Sequence, residues 1–190
     1  MSAYVVVSGL PGTGKSTLAG ALARELAVPL LAKDTIKEAL SDSLGTGDVD
    51  WSKRLGAAST AVLVALAARQ ERAVLESFWD PDLARRDLRA LRGTIIEVFC
   101  ACSVATARNR YVRRARHPGH LDDQRVDDFD AWFASGRGEP LRLGGPLLEV
   151  GTDDGDDVPS AGVIAAFVRG QRGWARSPPG GDRLEARPDG

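Results

Sequence analysis

A chain of 190 residues with 43% hydrophobic and 27% charged side chains has the make-up of one soluble globular domain with a real core, plus at most a lid or a tail. The formal net charge of −1 and a pI near 6.1 give no sign of overall attraction to nucleic acid or to a membrane surface, although local basic clusters can still hold phosphate. Only Lys15, Lys33, Lys37 and Lys53 among the 25 basic side chains are lysines, so an arginine in this chain needs positional support before it is called functional.

In chain order, residues 4–8 (YVVVS) form a short β-branched run that ends at glycine, the pattern of a buried parallel strand. Residues 9–14 read as a loop and 15–26 as a helix carrying Leu18, Ala19, Leu22 and Leu26 at helical spacing. A second strand is expected at 28–32, a helix at 35–44, a turn-rich break at 45–50 and a long Ala-rich helix at 51–72. Then come a third strand at 73–77, a helix at 82–91 and a fourth strand at 94–101. An arginine-loaded helix at 104–116 should stop at His117-Pro118-Gly119, because proline and glycine end helices. An acidic helix at 122–134, a fifth strand at 147–151 and a closing helix at 159–168 complete the pattern.

Strands that alternate with helices imply an α/β fold, a parallel five-stranded sheet covered on both faces, with ligands bound at the carboxyl ends of its strands. The expected organisation is one domain over residues 1–169 and a disordered tail over 170–190, where glycine, proline, arginine and aspartate replace apolar residues. Cys100 and Cys102 alternate along the fourth strand and read as reduced thiols, since a bridge between them would be strained. No stretch has the form of a signal peptide or a membrane span, so the cytoplasm is the expected compartment.

Gly9-Leu10-Pro11-Gly12-Thr13-Gly14-Lys15-Ser16-Thr17 satisfies GxxxxGK[ST] in full, between an expected strand and an expected helix. Its glycines let successive backbone N–H groups turn inward onto phosphate oxygens, and the helix that follows adds the positive end of its dipole. Lys15 would supply charge to the β- and γ-phosphates and Ser16 a hydroxyl to Mg²⁺. A dinucleotide fold is excluded at this loop, because GxGxxG would require glycine at position 17. The loop alone implies a nucleotide, not a reaction.

Asp34 falls at the carboxyl end of the second strand, where a carboxylate could face the γ-phosphate or simply cap the next helix. Glu76 ends the third strand, at the place of a Walker B acid that holds Mg²⁺ through water; pairing with an arginine is the plainer alternative. Ser77 and Trp79 follow it toward an acceptor pocket. GLPGTGKST, then KDTIKEAL, then a strand ending in ES and an arginine helix running into RHPGH together resemble small P-loop kinases of the zeta-toxin, chloramphenicol phosphotransferase and polynucleotide-kinase type. That group includes chains classed only as AAA-family ATP-binding proteins. The resemblance spans about residues 4–168 and implies a P-loop three-layer sandwich, ATP and Mg²⁺ as cofactors, and Asp34 as general base for an acceptor hydroxyl. It also makes residues 104–134 a lid that brings arginines onto the phosphates, with Arg110, Arg113 and Arg114 on one helical face as the candidates.

His117 and His120 then fall at the lid tip, with a metal site as the less favoured alternative. Asp122, Asp123, Asp127, Asp128 and Asp130 read as solvated acids near a helix start, or else as a dock for a cationic substrate; they weigh against a polynucleotide. The expectation is therefore an ATP-dependent phosphotransferase acting on a hydroxylated small molecule. A nucleotide-dependent regulatory ATPase and a polynucleotide 5′-hydroxyl kinase remain as alternatives. A GTPase is disfavoured, since no NKxD-like run follows the fourth strand.

Overall fold

The computed structural model describes residues 2–121, 128–153 and 158–174. Strand β1 (Ala3–Ser8) leads through the glycine loop into helix α1 (Lys15–Leu26), and then come β2 (Leu30–Ala32), α2 (Lys33–Leu44) and α3 (Val49–Ala67). Strand β3 (Arg72–Glu76), α4 (Pro81–Leu88), β4 (Thr94–Ala101) and α5 (Val104–Arg113) follow. A 3₁₀ turn (Pro118–His120) precedes α6 (Asp128–Trp132), β5 (Leu147–Gly151) and α7 (Ala161–Arg169).

The five strands form one parallel sheet in the order β2-β3-β1-β4-β5, with the expected helices on both faces. Its central strand shows why the run at 4–8 is apolar without interruption. Ala3, Val5 and Val7 point into a core with Leu18 and Leu22 of α1 and Ile164 and Val168 of α7. Tyr4 and Val6 point the other way, into a core with Leu63 of α3 and Leu88 of α4. Side chains alternate across a strand, so a strand buried on both faces needs apolar residues at every position. Each large side chain buried in this way is worth about 1.5–3 kcal/mol.

Several boundaries differ from those read in the sequence, each for a local reason. Helix α3 starts at Val49 because the Asp48 carboxylate accepts from the Trp51 N–H at 2.8 Å, which turns part of the expected break into an N-cap. It ends at Ala67 rather than at residue 72, since Arg72 already pairs with Ala3 as the first residue of β3. Asp80 caps α4 through the N–H groups of Asp82 and Leu83, with Pro81 at the first helical position, and the helix stops at Leu88. Helix α5 stops at Arg113, three residues early, because Arg114 is extended (φ −80°, ψ 134°). Of the expected helix at 122–134, residues 122–127 lie outside the described part; the rest forms α6 and continues as a π turn to Arg137.

The tail expected from Gly170 onward is packed against the domain as far as Trp174, the last described residue. Trp174 is only 4% exposed and packs into the α1–α7 core, with the Arg72 guanidinium 5.4 Å from its ring centre. Composition alone marked this segment as tail, whereas one large aromatic is enough to hold it down. Residues 175–190 lie outside the described part.

A buried carboxylate also appears where the sequence reading saw only a strand. Glu97 of β4 accepts from the backbone N–H groups of Leu141 (2.7 Å) and Arg142 (2.9 Å) and from the Ser8 hydroxyl (2.9 Å), fastening the approach to β5 onto the sheet. Substituting Trp174→Ala should lower stability by about 3–5 kcal/mol, the usual range for deleting a buried aromatic, as measured by urea denaturation.

Candidate active site

The register of the sheet assembles the site. Val7 of β1 lies level with Glu76 of β3, and Glu76 lies level with Ala32 of β2. The loop after β1, Asp34 after β2 and Glu76 itself therefore meet at one sheet edge, at the carboxyl ends of the strands.

The glycine loop is wedged between two backbones. Gly9 has φ 138°, and a Cβ there would lie 2.6 Å from the Cys100 carbonyl oxygen of β4. Gly12 has φ 87°, and a Cβ there would meet the Ala107 carbonyl of α5 at 2.1 Å. Neither position admits a side chain, by conformation or by space. Thr152, just after β5, donates its backbone N–H to the Ala101 carbonyl (2.8 Å) and its hydroxyl to the Thr13 carbonyl (2.9 Å), which ties the loop to the sheet.

Lys15 opens α1 with 5% exposure, and its Nζ lies 3.8 Å from Glu76 Oε1. Ser16 Oγ donates to the same Glu76 oxygen at 3.1 Å. Burial raises the Glu76 pKa; Lys15 opposes that and the nearby Asp34 charge adds to it. Two adjacent ligand positions on an octahedral Mg²⁺ lie about 3 Å apart, from metal–oxygen distances near 2.0–2.1 Å. The Ser16–Glu76 oxygen pair fits that spacing, and the donor set is all oxygen, as a hard cation prefers. Among the described residues, no group of three or more His, Cys, Asp or Glu side chains could hold a metal.

Asp34 lies in the first turn of α2, after Ala32 as N-cap, so its side chain is not the cap. It accepts from Arg116 Nη2 at 2.5 Å. Burial alone would raise its pKa, but the Arg116 and Lys15 charges outweigh that and lower it to about 2. Arg116 also lies 3.0 Å from His120 Nε2, which is 2.9 Å from Glu38 Oε1. That single nitrogen can accept from the guanidinium or donate to the carboxylate, not both. Burial, reinforced by Arg116, lowers the His120 pKa and favours the neutral ring.

The HPGH segment is docked on α2 and α3. His117 Nε2 is 2.9 Å from Asp42, Gly119 lies against Ser41, and the Gly119 carbonyl accepts from Ser52 at 3.0 Å. Both histidines thus face helix α2 instead of sharing a metal. Asp122, Asp123 and Asp127 of the acidic patch lie outside the described residues. Asp128 and Asp130 fall in the first turn of α6.

The candidate arginines separate. Arg110 donates to the carbonyls of Thr152 (2.9 Å) and Asp153 (3.0 Å), so it fastens α5 to the end of β5 and does not reach toward Asp34. Arg113 is exposed on α5, and Arg114 has left the helix. The three do not form the shared helical face expected from their spacing, because the helix ends between the second and the third. Arg114 stacks over Tyr111 at 4.5 Å, within an aromatic group of Tyr111, Phe129, Trp132 and Phe78 that packs on Leu10 of the glycine loop. Arg116, passed over in the sequence reading, is the arginine that meets Asp34. No local pattern marked it, since its contact with Asp34 joins residues 82 positions apart in the chain.

A chamber of about 70 Å³ lies between Pro11, Lys15, Asp34, Arg114, Arg116 and His120. Beside it, a cavity of about 330 Å³ opens between α2, α3 and α4, with Ser77 and Trp79 on its wall as expected. Lys33, Lys37 and Phe78 line both spaces.

A parallel sheet whose first strand runs into a GxxxxGK[ST] loop, with a carboxylate after the second strand, defines the fold of the small P-loop kinases. The AAA_33 family, an AAA domain, matches residues 5–135, and the chain belongs to that family. It is similar to a presumed kinase from Chloroflexus aurantiacus, at 36% identity over 88% of this chain and 97% of that one, with a TM-score of 0.79. A gluconokinase from Sinorhizobium meliloti shares the fold at 17% identity, covering 87% and 93% of the two chains with a TM-score of 0.56. So does a shikimate kinase from Acinetobacter baumannii, at 16% identity, 88% and 90% coverage and a TM-score of 0.52. No curated protein matches the chain. Among the described residues no helix is long and apolar enough to cross a membrane.

The Asp34–Arg116 pair gives a test with a definite sign. A carboxyl whose pKa is lowered on folding contributes stability that is present above its ordinary value of 3.8 and lost as pH falls toward 2. In Arg116→Ala the Asp34 carboxyl should titrate at least about one unit higher by carbon-13 NMR. The loss of stability over that acid interval should shrink with it.

Proposed function

We propose that the chain is an ATP-dependent phosphotransferase that phosphorylates a hydroxyl group of a small molecule. The observation that carries this reading is the meeting of Lys15, Asp34 and Arg116 around one small chamber that adjoins a cavity of ligand size. A switch protein needs a nucleotide site; it has no use for a second, adjoining cavity with a carboxylate at its mouth. The resemblance to the zeta-toxin, chloramphenicol phosphotransferase and polynucleotide-kinase type supports the same reading.

In this scheme the phosphates of ATP lie along residues 9–17, held by inward N–H groups, the α1 dipole and the Lys15 ammonium. Ser16 and, directly or through water, Glu76 hold Mg²⁺, which when bound screens the phosphate charge. The acceptor hydroxyl enters from the larger cavity to Asp34. Its oxygen forms the new bond to the γ-phosphorus, the bond to the ADP oxygen breaks, and the hydroxyl proton passes to Asp34.

A carboxylate held near pKa 2 by an arginine is a poor base. An arriving hydroxyl and γ-phosphate would compete for the two partners of that pair, drawing Arg116 to the phosphate and leaving Asp34 for the hydroxyl. Without its arginine, burial makes Asp34 more basic. Phosphoryl transfer passes through a loose transition state, so orientation of the hydroxyl matters more than strong deprotonation. Arg116 and Arg114, on the segment between β4 and β5, act as lid arginines that offset charge on the moving phosphoryl group. Arg110 and Arg113 would serve more distantly, Arg110 by fixing α5 to the loop after β5.

Asp34→Ala should reduce phosphate transfer to an acceptor by at least about a hundredfold, the scale of general-base catalysis, with ATP affinity nearly unchanged. Transfer is scored by mass gain on a panel of hydroxylated metabolites and antibiotics. If no acceptor is phosphorylated and Asp34→Ala leaves acceptor-free ATP turnover untouched, the kinase reading fails. Lys15→Ala should remove both nucleotide binding and transfer.

A further inference from the structure

Helix α2 presents Asp34 and Glu38, four residues apart and so on one face, to the segment that returns over it. Arg116 and His120 of that segment meet both acids. Arg116 Nη2 donates to Asp34 Oδ2 at 2.5 Å and lies 4.0 Å from Glu38 Oε1. His120 Nε2 stands between them, 3.0 Å from Arg116 Nη2 and 2.9 Å from Glu38 Oε1. His120 is 5% exposed, and its turn is pinned in place. The Ser52 hydroxyl donates to the Gly119 carbonyl at 3.0 Å, and a Cβ on Gly119 would lie 2.4 Å from Ser41 Oγ.

One ring nitrogen cannot serve a donor and a carboxylate at once. Without a hydrogen, Nε2 accepts from the guanidinium and turns its lone pair toward a carboxylate oxygen. With a hydrogen, it donates to Glu38 and sets its own N–H against that of the arginine. Each state satisfies one contact at the expense of the other. A second proton on the ring is disfavoured: burial, then Arg116 and more weakly Lys37, outweigh the pull of Asp34 and Glu38. A neutral ring has one proton for two nitrogens, so the place of that proton selects the partner.

We propose that His120 is a positioning residue for Arg116. Its Nε2 accepts from the guanidinium while that group is held on Asp34, and donates to Glu38 once the guanidinium moves to the γ-phosphate. This assignment rests on the phosphotransferase reading above and adds the group that steadies and then releases its arginine. One proton leaves Nδ1 and one joins Nε2, exchanged through water, so the ring takes up no net proton. The new bond to Glu38 offsets the bond lost to Arg116. Drawing the guanidinium off Asp34 therefore costs less than it would beside an inert neighbour. Asp34 is then left to orient the acceptor hydroxyl.

The chain holds 2 histidines, so His117→Gln assigns the His120 ring signals in nitrogen-15 spectra of the full chain. Spectra are taken near pH 8, about one and a half units above the ordinary imidazole value. Without nucleotide, Nε2 should be bare and Nδ1 protonated. With Mg²⁺ and a non-hydrolysable ATP analogue bound, Nε2 should carry the hydrogen. Arg116→Ala should show the protonated Nε2 with no nucleotide present, since the guanidinium no longer competes with Glu38. An Nε2 in the same state in the wild-type protein and in Arg116→Ala, or unchanged when the analogue binds, overturns the inference. If the analogue does not bind, the kinase reading fails, while the Arg116→Ala comparison still decides the exchange of partners.

Calorimetry adds a readout that a merely structural role would not move. Glu38→Ala, at a partly exposed side chain, removes the second partner of His120. It should weaken binding of the analogue about fivefold more in the wild-type background than in His120→Leu, the scale of one hydrogen bond. ADP lacks the γ-phosphate, so its affinity should respond to Glu38→Ala equally in the two backgrounds. Equal effects on the analogue in both backgrounds, or the same background difference for ADP, overturn the inference. If His120→Leu fails to fold, the nitrogen-15 comparison decides, with Glu38→Ala expected to abolish the change seen on analogue binding.

Discussion

The structure depends on the burial of β1 at the centre of a parallel sheet. With β3 on one side, β4 on the other and a helical layer on each face, this strand has no freedom to slide. A one-residue shift would exchange the Tyr4–Val6 and Val5–Val7 faces between two differently packed cores. The chain must then leave the sheet at Gly9, pass between the Cys100 and Ala107 carbonyls and enter α1 within six residues. Only glycines at the tight points allow it. Phosphate binding is thus a consequence of how the central strand ends.

The same constraint gives the neighbouring groups their positions. Glu76 is level with Val7 because β3 pairs with β1, and the Ala32–Glu76 pairing brings Asp34 to the same edge. Lys15 and Ser16, at the start of α1, then meet Glu76 across that edge. Charge follows burial: the cations that hold Asp34 ionised come from α1 and from the returning segment after α5, while Glu76, buried deeper, is pushed toward its protonated form. Two carboxylates at one edge therefore differ in character through their surroundings, one held ionised and the other pushed toward its protonated form.

Above the sheet edge, the segment between β4 and β5 is held at two places of different chemistry. Aromatic rings pack it onto Leu10, and the HPGH turn bonds it to α2 and α3. Arg116 lies between the two anchors, which keeps a guanidinium in reach of Asp34 and on the wall of the small chamber beside Lys15. Lys37, Ser52 and the Gly119 carbonyl form a chain of hydrogen bonds from the larger cavity to that turn. The larger cavity and the overlying segment thus share a wall.

Much of this was legible in the sequence. The glycine motif, the unbroken apolar runs and their alternation with helical segments depend on local spacing, and the structure keeps the strand count, the fold class and the places of Lys15, Ser16, Asp34 and Glu76. Arginine positions were not legible, because helical spacing assigns a shared face only while the helix lasts, and α5 ends before Arg114. The fate of Trp174 and the backbone partners of Glu97 were hidden for a related reason, since both are set by residues far away in the chain. The sequence by itself determined the phosphate loop and the sheet that presents it. Only tertiary packing decided that Arg116 meets Asp34, and that three scattered lysines line one cavity. Contacts between distant segments follow from how whole elements pack, and no local pattern carries that information.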